Sequence, residues 1–240
     1  MAMVVVPLAG PDCYLCDGGF RALLDLDGQP RIKSILSSRP WVATYQHDEM
    51  QLIFVTRAKP PHSDILASTL QDLFPGSTIV MLGEMTRGAP CSVLAGLAQC
   101  NKPDQPVIVD LADVMFSLNI DLSEYFHNAS RIAAIAPWFY SRNPAFSYFE
   151  MQGEQIIQSR EKQVISSNAS AGVYIFRDLV SCLKCLGFTF SNPDIGMVGE
   201  TFFVCPGLNG LIQDNDEVLG IEVRDVVDFS SAYHGGMRDS

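Results

Sequence analysis

The chain has 240 residues, a formal net charge of −11, 48% apolar residues and 18% charged residues. That is the composition of a folded globular chain, long enough for one large domain, and not of a disordered one. An acidic surface repels phosphate backbones and anionic lipid, so nucleic acid and membrane surfaces are excluded as general partners, while a local cationic pocket remains compatible with it.

Met1 to Pro7 is apolar and lacks a basic leader region, so it reads as a first strand and not as a signal peptide. Residues 8–21 hold Gly10, Pro11, Gly18 and Gly19 and form a long loop. A turn signal closes Leu23–Gly28, and Pro30 opens a helix running to about Ser37. Gln51–Thr56 is a strand. Ser63 is placed to cap a helix whose Ile65, Leu66, Leu70 and Leu73 follow the helical period, and Pro75-Gly76 stops it. Thr78–Leu82 is a strand, Ala89–Cys100 a helix, and Val107–Val109 a β-branched run suited to a central strand buried on both faces.

Strand and helix therefore alternate through the first half, which implies a parallel sheet covered by helices. The second half is strand-rich at 131–139, 147–151, 155–159 and 171–176, with a turn at Gln152-Gly153-Glu154. A helix at about 178–186 and a last strand at 218–223 follow. The expected fold is α/β: one mixed, mostly parallel, twisted sheet flanked by helices, in a single domain over 1–240. A nucleotide-binding half (about 1–115) and a lid-like half (about 116–240) share it.

No stretch of about 18 apolar residues lacks a charge, so no membrane span is expected. The 7 cysteines are odd in number and scattered, which argues against a disulfide framework and for the cytoplasm. Cys13/Cys16 and Cys182/Cys185 have the spacing of zinc ligands, but the second pair sits in a helix, where such spacing marks a half-buried face.

Two segments carry chemistry. Residues 159–176 place Glu161-Lys162 ahead of small polar residues and the alternating Ala171-Gly172-Val173-Tyr174-Ile175-Phe176, so a lysine can meet an anion at the mouth of a sheet. Asp110 and Asp113 both lie at the carboxyl end of the central strand, the edge where open α/β sheets bind ligands.

In order along the chain, VVPLAG at 5–10, LLDLDGQPRI at 23–32, TRGAPCSVL at 86–94, VIVDLADVMF at 107–116, EKQVISSNASAGVYIF at 161–176 and GETFFVCPGLNGLI at 199–212 resemble segments of the sugar-phosphate nucleotidyltransferases. In that family the second segment reads "PLldv.GkPmI". The resemblance covers most of 4–223. It implies an enzyme that joins a nucleoside triphosphate to a sugar 1-phosphate or similar phosphomonoester and releases pyrophosphate, in surface-polysaccharide biosynthesis, with Mg²⁺ as cofactor. It places Leu8, Ala9, Gly10, Gly88 and Ala89 at the nucleotide, and Glu161, Lys162, Asn168 and Gly172 at the sugar phosphate. Arg21, Asp113 and Lys162 are the implied catalytic residues, and Asp113 with Asp228 the metal ligands. Asp110 competes with Asp113, and Asp225 with Asp228. Asn209 also matches a family asparagine, and assembly into oligomers is compatible with the pattern.

The departures are specific. The family's Gly-x-Gly-x-Arg loop is here Gly10-Pro11-Asp12-Cys13-Tyr14, so Tyr14 stands in place of the cation and Asp12 adds a negative charge. The lysine of its Pro-Lys-Pro motif aligns with Arg21. A catalytically inactive relative that binds nucleotide or sugar phosphate as a regulatory or scaffolding subunit is therefore the alternative. A glycosyltransferase ranks lower, since Asp110-Leu111-Ala112-Asp113 is one residue too long for an Asp-x-Asp motif.

Overall fold

The computed structural model describes residues 2–15, 19–43, 50–58, 62–122, 125–126 and 131–229. Strand β1 (Ala2–Pro7) is buried through Met3–Val6. A tight hairpin of β2 (Asp25–Leu26) and β3 (Gln29–Pro30) follows, turning at Asp27 and Gly28, whose φ values of 52° and 84° are those of a primed turn. Pro30 then leads into α1 (Arg31–Ser37) and α2 (Pro40–Ala43). Strand β4 (Met50–Arg57), α3 (His62–Leu73), β5 (Thr78–Leu82), α4 (Ala89–Leu97) and β6 (Val107–Asp110) complete the first half. Ser63 lies inside the first turn of α3, buried, and is not the residue preceding the helix. Ile65 of the expected apolar stripe is largely exposed, and α4 ends three residues earlier than expected.

Strands β4, β1 and β6 are parallel neighbours, with β5 at the edge. The alternation of β1 divides the core. Met3 and Val5 face Val93 and Leu97 of α4, while Val4 and Val6 face Ile32 and Leu36 of α1 and Leu66 and Leu70 of α3. Each such side chain, fully buried, contributes about 1.5–3 kcal/mol.

The second half begins with β7 (Val114–Ser117), which leaves the main sheet. Strands β8 (Ile132–Tyr140), β9 (Ser147–Gln152), β10 (Gln155–Glu161), β11 (Asn168–Ser170) and β12 (Val173–Phe176) follow. The run expected as one strand at 171–176 is broken at Gly172, whose φ of 71° redirects the chain from β11 to β12. Helices α5 (Leu179–Ser191) and α6 (Pro193–Gly196), the small pair β13 (Met197–Val198) and β14 (Thr201–Phe202), and α7 (Leu208–Gln213) precede β15 (Glu217–Glu222). Asp178 caps α5, accepting from the Ser181 N–H at 2.7 Å. Cys182 and Cys185 are buried on the inner face of α5 as part of the core, and burial drives both thiols upward. Cys16 and Gly18 lie outside the described residues.

One sheet of ten strands results, ordered β11-β9-β10-β15-β8-β12-β6-β1-β4-β5. Strands β1, β4, β5, β6, β8, β9 and β15 point one way, and β10, β11 and β12 the other. The mixed sheet is thus present, with most strands pointing one way; every antiparallel pairing in it involves β10, β11 or β12, including that of β12 with β6 of the first half. β11 pairs with both β8 and β9, so β8, β11, β9, β10 and β15 close a circuit. The chain does not finish at β15 as expected: β16 (Arg224–Asp228) returns to pair with β7, carrying Asp228 opposite Val114. Among the described residues, no helix is long and apolar enough to cross a membrane.

Candidate functional site

The parallel strands β1 and β6 are neighbours, so the segments leaving their carboxyl ends meet. After β1, the Leu8 N–H donates to the Val55 carbonyl at 2.7 Å, Ala9 is buried, and Gly10 is exposed with open space above its backbone. Pro11–Cys13 then makes a single 3₁₀ turn. Tyr14 closes the loop: its hydroxyl donates to the Arg57 carbonyl at 2.7 Å, its ring meets Phe20 at 5.3 Å, and the Leu15 N–H bonds the Gly19 carbonyl at 2.9 Å. The Arg57 guanidinium lies 5.1 Å from the Tyr14 ring centre. The residue that replaces the family's cation is therefore pinned to the end of β4, with a cation beside it.

After β6, the two competing aspartates separate. Asp110 is fully buried and engaged by Arg39, also fully buried, at 2.7 Å and 3.3 Å. Arg39 also donates to the Val114 carbonyl at 2.7 Å and lies over the Phe116 ring at 3.9 Å. Asp110 accepts from the Ala112 N–H as well, at 2.9 Å, which fits the left-handed φ of 54° at Ala112. Asp110 is thus a structural ion-pair member, and the turn it holds delivers Asp113 outward, 42% exposed.

Asp113 reaches an open cleft of about 150 Å³ that Leu8, Gly10, Cys13, Arg21 and Arg31 also line. Arg21 stands 3.7 Å from the Asp113 carboxylate. Burial pushes the Cys13 thiol up to about 11, so it forms a neutral wall. Phe229 organises the opposite side: its N–H donates to the Asp113 carbonyl at 2.9 Å, its carbonyl accepts from Arg21 at 2.8 Å, and its ring lies 5.1 Å from the Arg31 guanidinium. Of the residues expected in the nucleotide half, Leu8, Gly10, Arg21 and Asp113 come together here.

Among the described residues, no three His, Cys, Asp or Glu side chains gather as a complete metal cage. Mg²⁺ asks for less, usually one or two carboxylates with phosphates and water completing the shell. Asp113, immediately before β7, offers one carboxylate at the cleft, while Asp228, at the end of β16, pairs opposite the adjacent Val114 and is not among the residues that line it.

The cleft leads toward the second half through short contacts. Leu111, in its wall, donates its N–H to the Gly172 carbonyl at 2.9 Å; the Gly172 N–H bonds the Ser170 hydroxyl at 3.2 Å, and Ser170 the Tyr174 hydroxyl at 3.1 Å. Tyr174 lies within electrostatic reach of Glu161 and Cys205. Glu161 is buried and accepts from the Ser147 hydroxyl. Burial pushes its carboxyl up to about 7, against the Ser147 hydrogen bond and the Lys162 charge. Lys162 has a φ of 50°, donates its N–H to the Phe146 carbonyl at 3.1 Å, and holds its ammonium 5.0 Å from the Phe203 ring centre. Two non-glycine residues in the left-handed region, Ala112 and Lys162, thus flank this stretch, and such outliers concentrate at functional sites.

The remaining expected residues have local roles. Asn168 donates to the Phe149 carbonyl at 3.2 Å, bracing β11 against β9. Asn209 is buried, accepts from the Ser159 N–H and donates to the Ser159 and Pro206 carbonyls, each at 2.9 Å, locking α7 to β10. Gly88 has a φ of 121°, and a Cβ there would strike the Phe202 carbonyl oxygen. The close approach that demands glycine is therefore to Phe202, with Ala89 beginning α4 behind it. Ala9, Gly88, Ala89, Glu161, Lys162, Asn168, Gly172 and Asp228 do not line the cleft at Asp113.

Sequence reasoning passed over Arg31, Arg39 and Arg57. Arg39 and Arg57 leave no local signal, because their partners lie far along the chain. Arg31 does leave one, an arginine where the family segment has an apolar residue.

No family model matches the chain, and no curated protein matches it in sequence. Solved structures do match. A nucleoside-diphosphate-sugar pyrophosphorylase from Vibrio cholerae RC9 is 19% identical, with a TM-score of 0.77 over 95% of both chains. A UDP-glucose pyrophosphorylase complexed with UDP-glucose is 13% identical, with a TM-score of 0.70 over 97% of this chain and 94% of the other. The inositol-1-phosphate CTP transferase from T. maritima is 13% identical, with a TM-score of 0.67 over 97% and 91%. These likenesses show the fold alone: the chain shares the mixed α/β architecture of these pyrophosphorylases and of the CTP transferase.

Proposed function

We propose that this protein is a nucleotidyltransferase that joins a nucleoside triphosphate to a sugar 1-phosphate or similar phosphomonoester. An oxygen of the phosphomonoester bonds to the α-phosphorus, the bond to the bridging oxygen breaks, and pyrophosphate leaves. The supporting observation is that Asp113, Arg21 and the open backbone at Gly10 share one cleft while the rival carboxylate, Asp110, is sealed in the core. In this reading Gly10 and Arg21 hold the phosphates, charge-assisted bonds to which are worth about 1.5–3 kcal/mol each. Mg²⁺, held by Asp113 and Asp228, would offset the charge on the phosphates. Glu161 accepts sugar hydroxyls, Lys162 meets the sugar phosphate, and Gly88-Ala89 border the base and ribose. A cytoplasmic enzyme feeding surface-polysaccharide synthesis is the setting this activity suits.

One observation favours a second reading. Tyr14 is tied to Arg57 and Phe20, so the loop after β1 is closed on itself where an open phosphate cradle is needed. A non-catalytic relative that binds nucleotide or sugar phosphate as a regulatory or scaffolding subunit would tolerate that. Incubation with Mg²⁺, each of the four common NTPs and a panel of sugar 1-phosphates separates the two. Pyrophosphate release that disappears in Asp113→Ala supports the enzyme. Ligand-induced thermal stabilisation without release supports the binding protein.

A further inference from the structure

We infer that Arg31 binds phosphate in the cleft and supplies the positive charge that the loop after β1 has lost. The inference rests on the nucleotidyltransferase reading and names a residue which that reading does not use. Arg31 lines the same cleft as Gly10, Arg21 and Asp113. It occupies the first position of α1, with no acidic residue in that turn. A cation there opposes the helix dipole at a cost of about 0.3–1 kcal/mol, so helix stability does not explain its presence. The family segment that LLDLDGQPRI resembles has an apolar residue at this position, as the wall of a cleft ordinarily would.

The side chain is also held in place. Its guanidinium faces the Phe229 ring at 5.1 Å, and the same Phe229 accepts from Arg21 and donates to the carbonyl of Asp113. Phe229, just after β16, therefore touches both guanidinium groups and the main chain of Asp113, three residues that line a single cleft. Two planar guanidinium groups suit a polyphosphate, which offers several anionic oxygens at once. In a chain of net charge −11, this cleft is lined by two arginines and one carboxylate, Asp113, a local excess of positive charge that favours an anion. The chemical class of ligand is the pyrophosphate portion of a nucleoside triphosphate, or free pyrophosphate as product. A role confined to bracing β16 through Phe229 is the competing explanation, and binding data separate the two.

Calorimetry on the full chain, in Mg²⁺, with inorganic pyrophosphate and separately with glucose 1-phosphate provides the test. Arg31→Gln is expected to weaken pyrophosphate about ten-fold or more, with glucose 1-phosphate affinity unchanged. Pyrophosphate affinity within about two-fold of wild type overturns the inference, being too small a change for a lost charge-assisted bond. Should Arg31→Gln fail to fold, Arg31→Lys decides: it keeps the charge but loses the fork, and is expected to bind pyrophosphate at least about three-fold more weakly. Equal affinity then overturns the inference. Unchanged pyrophosphate binding with intact turnover removes Arg31 alone. A wild-type protein that neither binds pyrophosphate nor releases it from any substrate pair removes the proposed function and this inference together.

Discussion

Replacing Asp110 by Asn and, separately, Asp113 by Asn should give opposite results from two acids three residues apart. Asp110 and Arg39 are both fully buried and joined at 2.7 Å and 3.3 Å. In Asp110→Asn the guanidinium keeps the Val114 carbonyl and the Phe116 ring but loses its counter-charge in the core. An uncompensated buried charge of this kind costs about 3–5 kcal/mol. At roughly 2–4 °C per kcal/mol for a chain of this size, the melting temperature should fall by of order 10 °C. Asp113, 42% exposed and 3.7 Å from Arg21, contributes an ion pair of about 0–1 kcal/mol, so Asp113→Asn should unfold close to wild type. Urea denaturation followed by circular dichroism measures both. An Asp110→Asn protein within about 1 kcal/mol of wild type would refute the assignment of Asp110 to structure. Replacing both partners of the pair, as in Arg39→Met with Asp110→Leu, should recover much of the loss, since apolar replacements of a buried pair are often neutral.

Three further outcomes follow from named contacts. Glu161, pushed from its ordinary 4.5 to about 7 by burial, holds its proton more tightly folded than unfolded. Its stabilising contribution is complete below pH 4.5 and lost as pH rises through about 7, so wild type should lose about 3 kcal/mol relative to Glu161→Gln between pH 4.5 and 8. A pH-independent difference between the two proteins in denaturant titrations would contradict this. Gly88→Ala places a Cβ against the Phe202 carbonyl at a φ of 121°, and should cost at least about 2 kcal/mol by the same assay; a neutral result would show that this approach is not tight. Asn209→Leu strands the Ser159 N–H in the core at a cost of about 1–3 kcal/mol, measurable as faster hydrogen exchange at Ser159, and unchanged exchange would count against the lock.

Elements that depend on local pattern were legible in the sequence. The β-branched run at 107–109 became β6, and the Asp27-Gly28 and Gln152-Gly153-Glu154 turns closed hairpins because left-handed conformations need those residue types. What escaped depended on distant partners. β7 and β16 are short and stabilised by each other across more than a hundred residues; β7 offers only four residues of alternation and β16 is mostly exposed, so the pairing leaves little local signal. The preference for Asp113 over Asp110 came from the family resemblance alone, since Arg39, which seals Asp110 in the core, lies 71 residues away. The break at Gly172 lay in plain sight, but an apolar run on both sides concealed it. The site divides likewise: Leu8, Gly10, Arg21 and Asp113 converge as their motif order implies, whereas Gly88 and Asn209 answer to packing and Asn168 to a neighbouring strand.

A crystal structure with a bound nucleoside diphosphate sugar and Mg²⁺ tests the central claim most directly. The account predicts the diphosphate against Gly10, Arg21 and Asp113, with the sugar extending past Gly172 toward Glu161 and Lys162. A ligand seated elsewhere on the molecule, or one bound at Asp113 with its sugar directed away from Lys162, would contradict it.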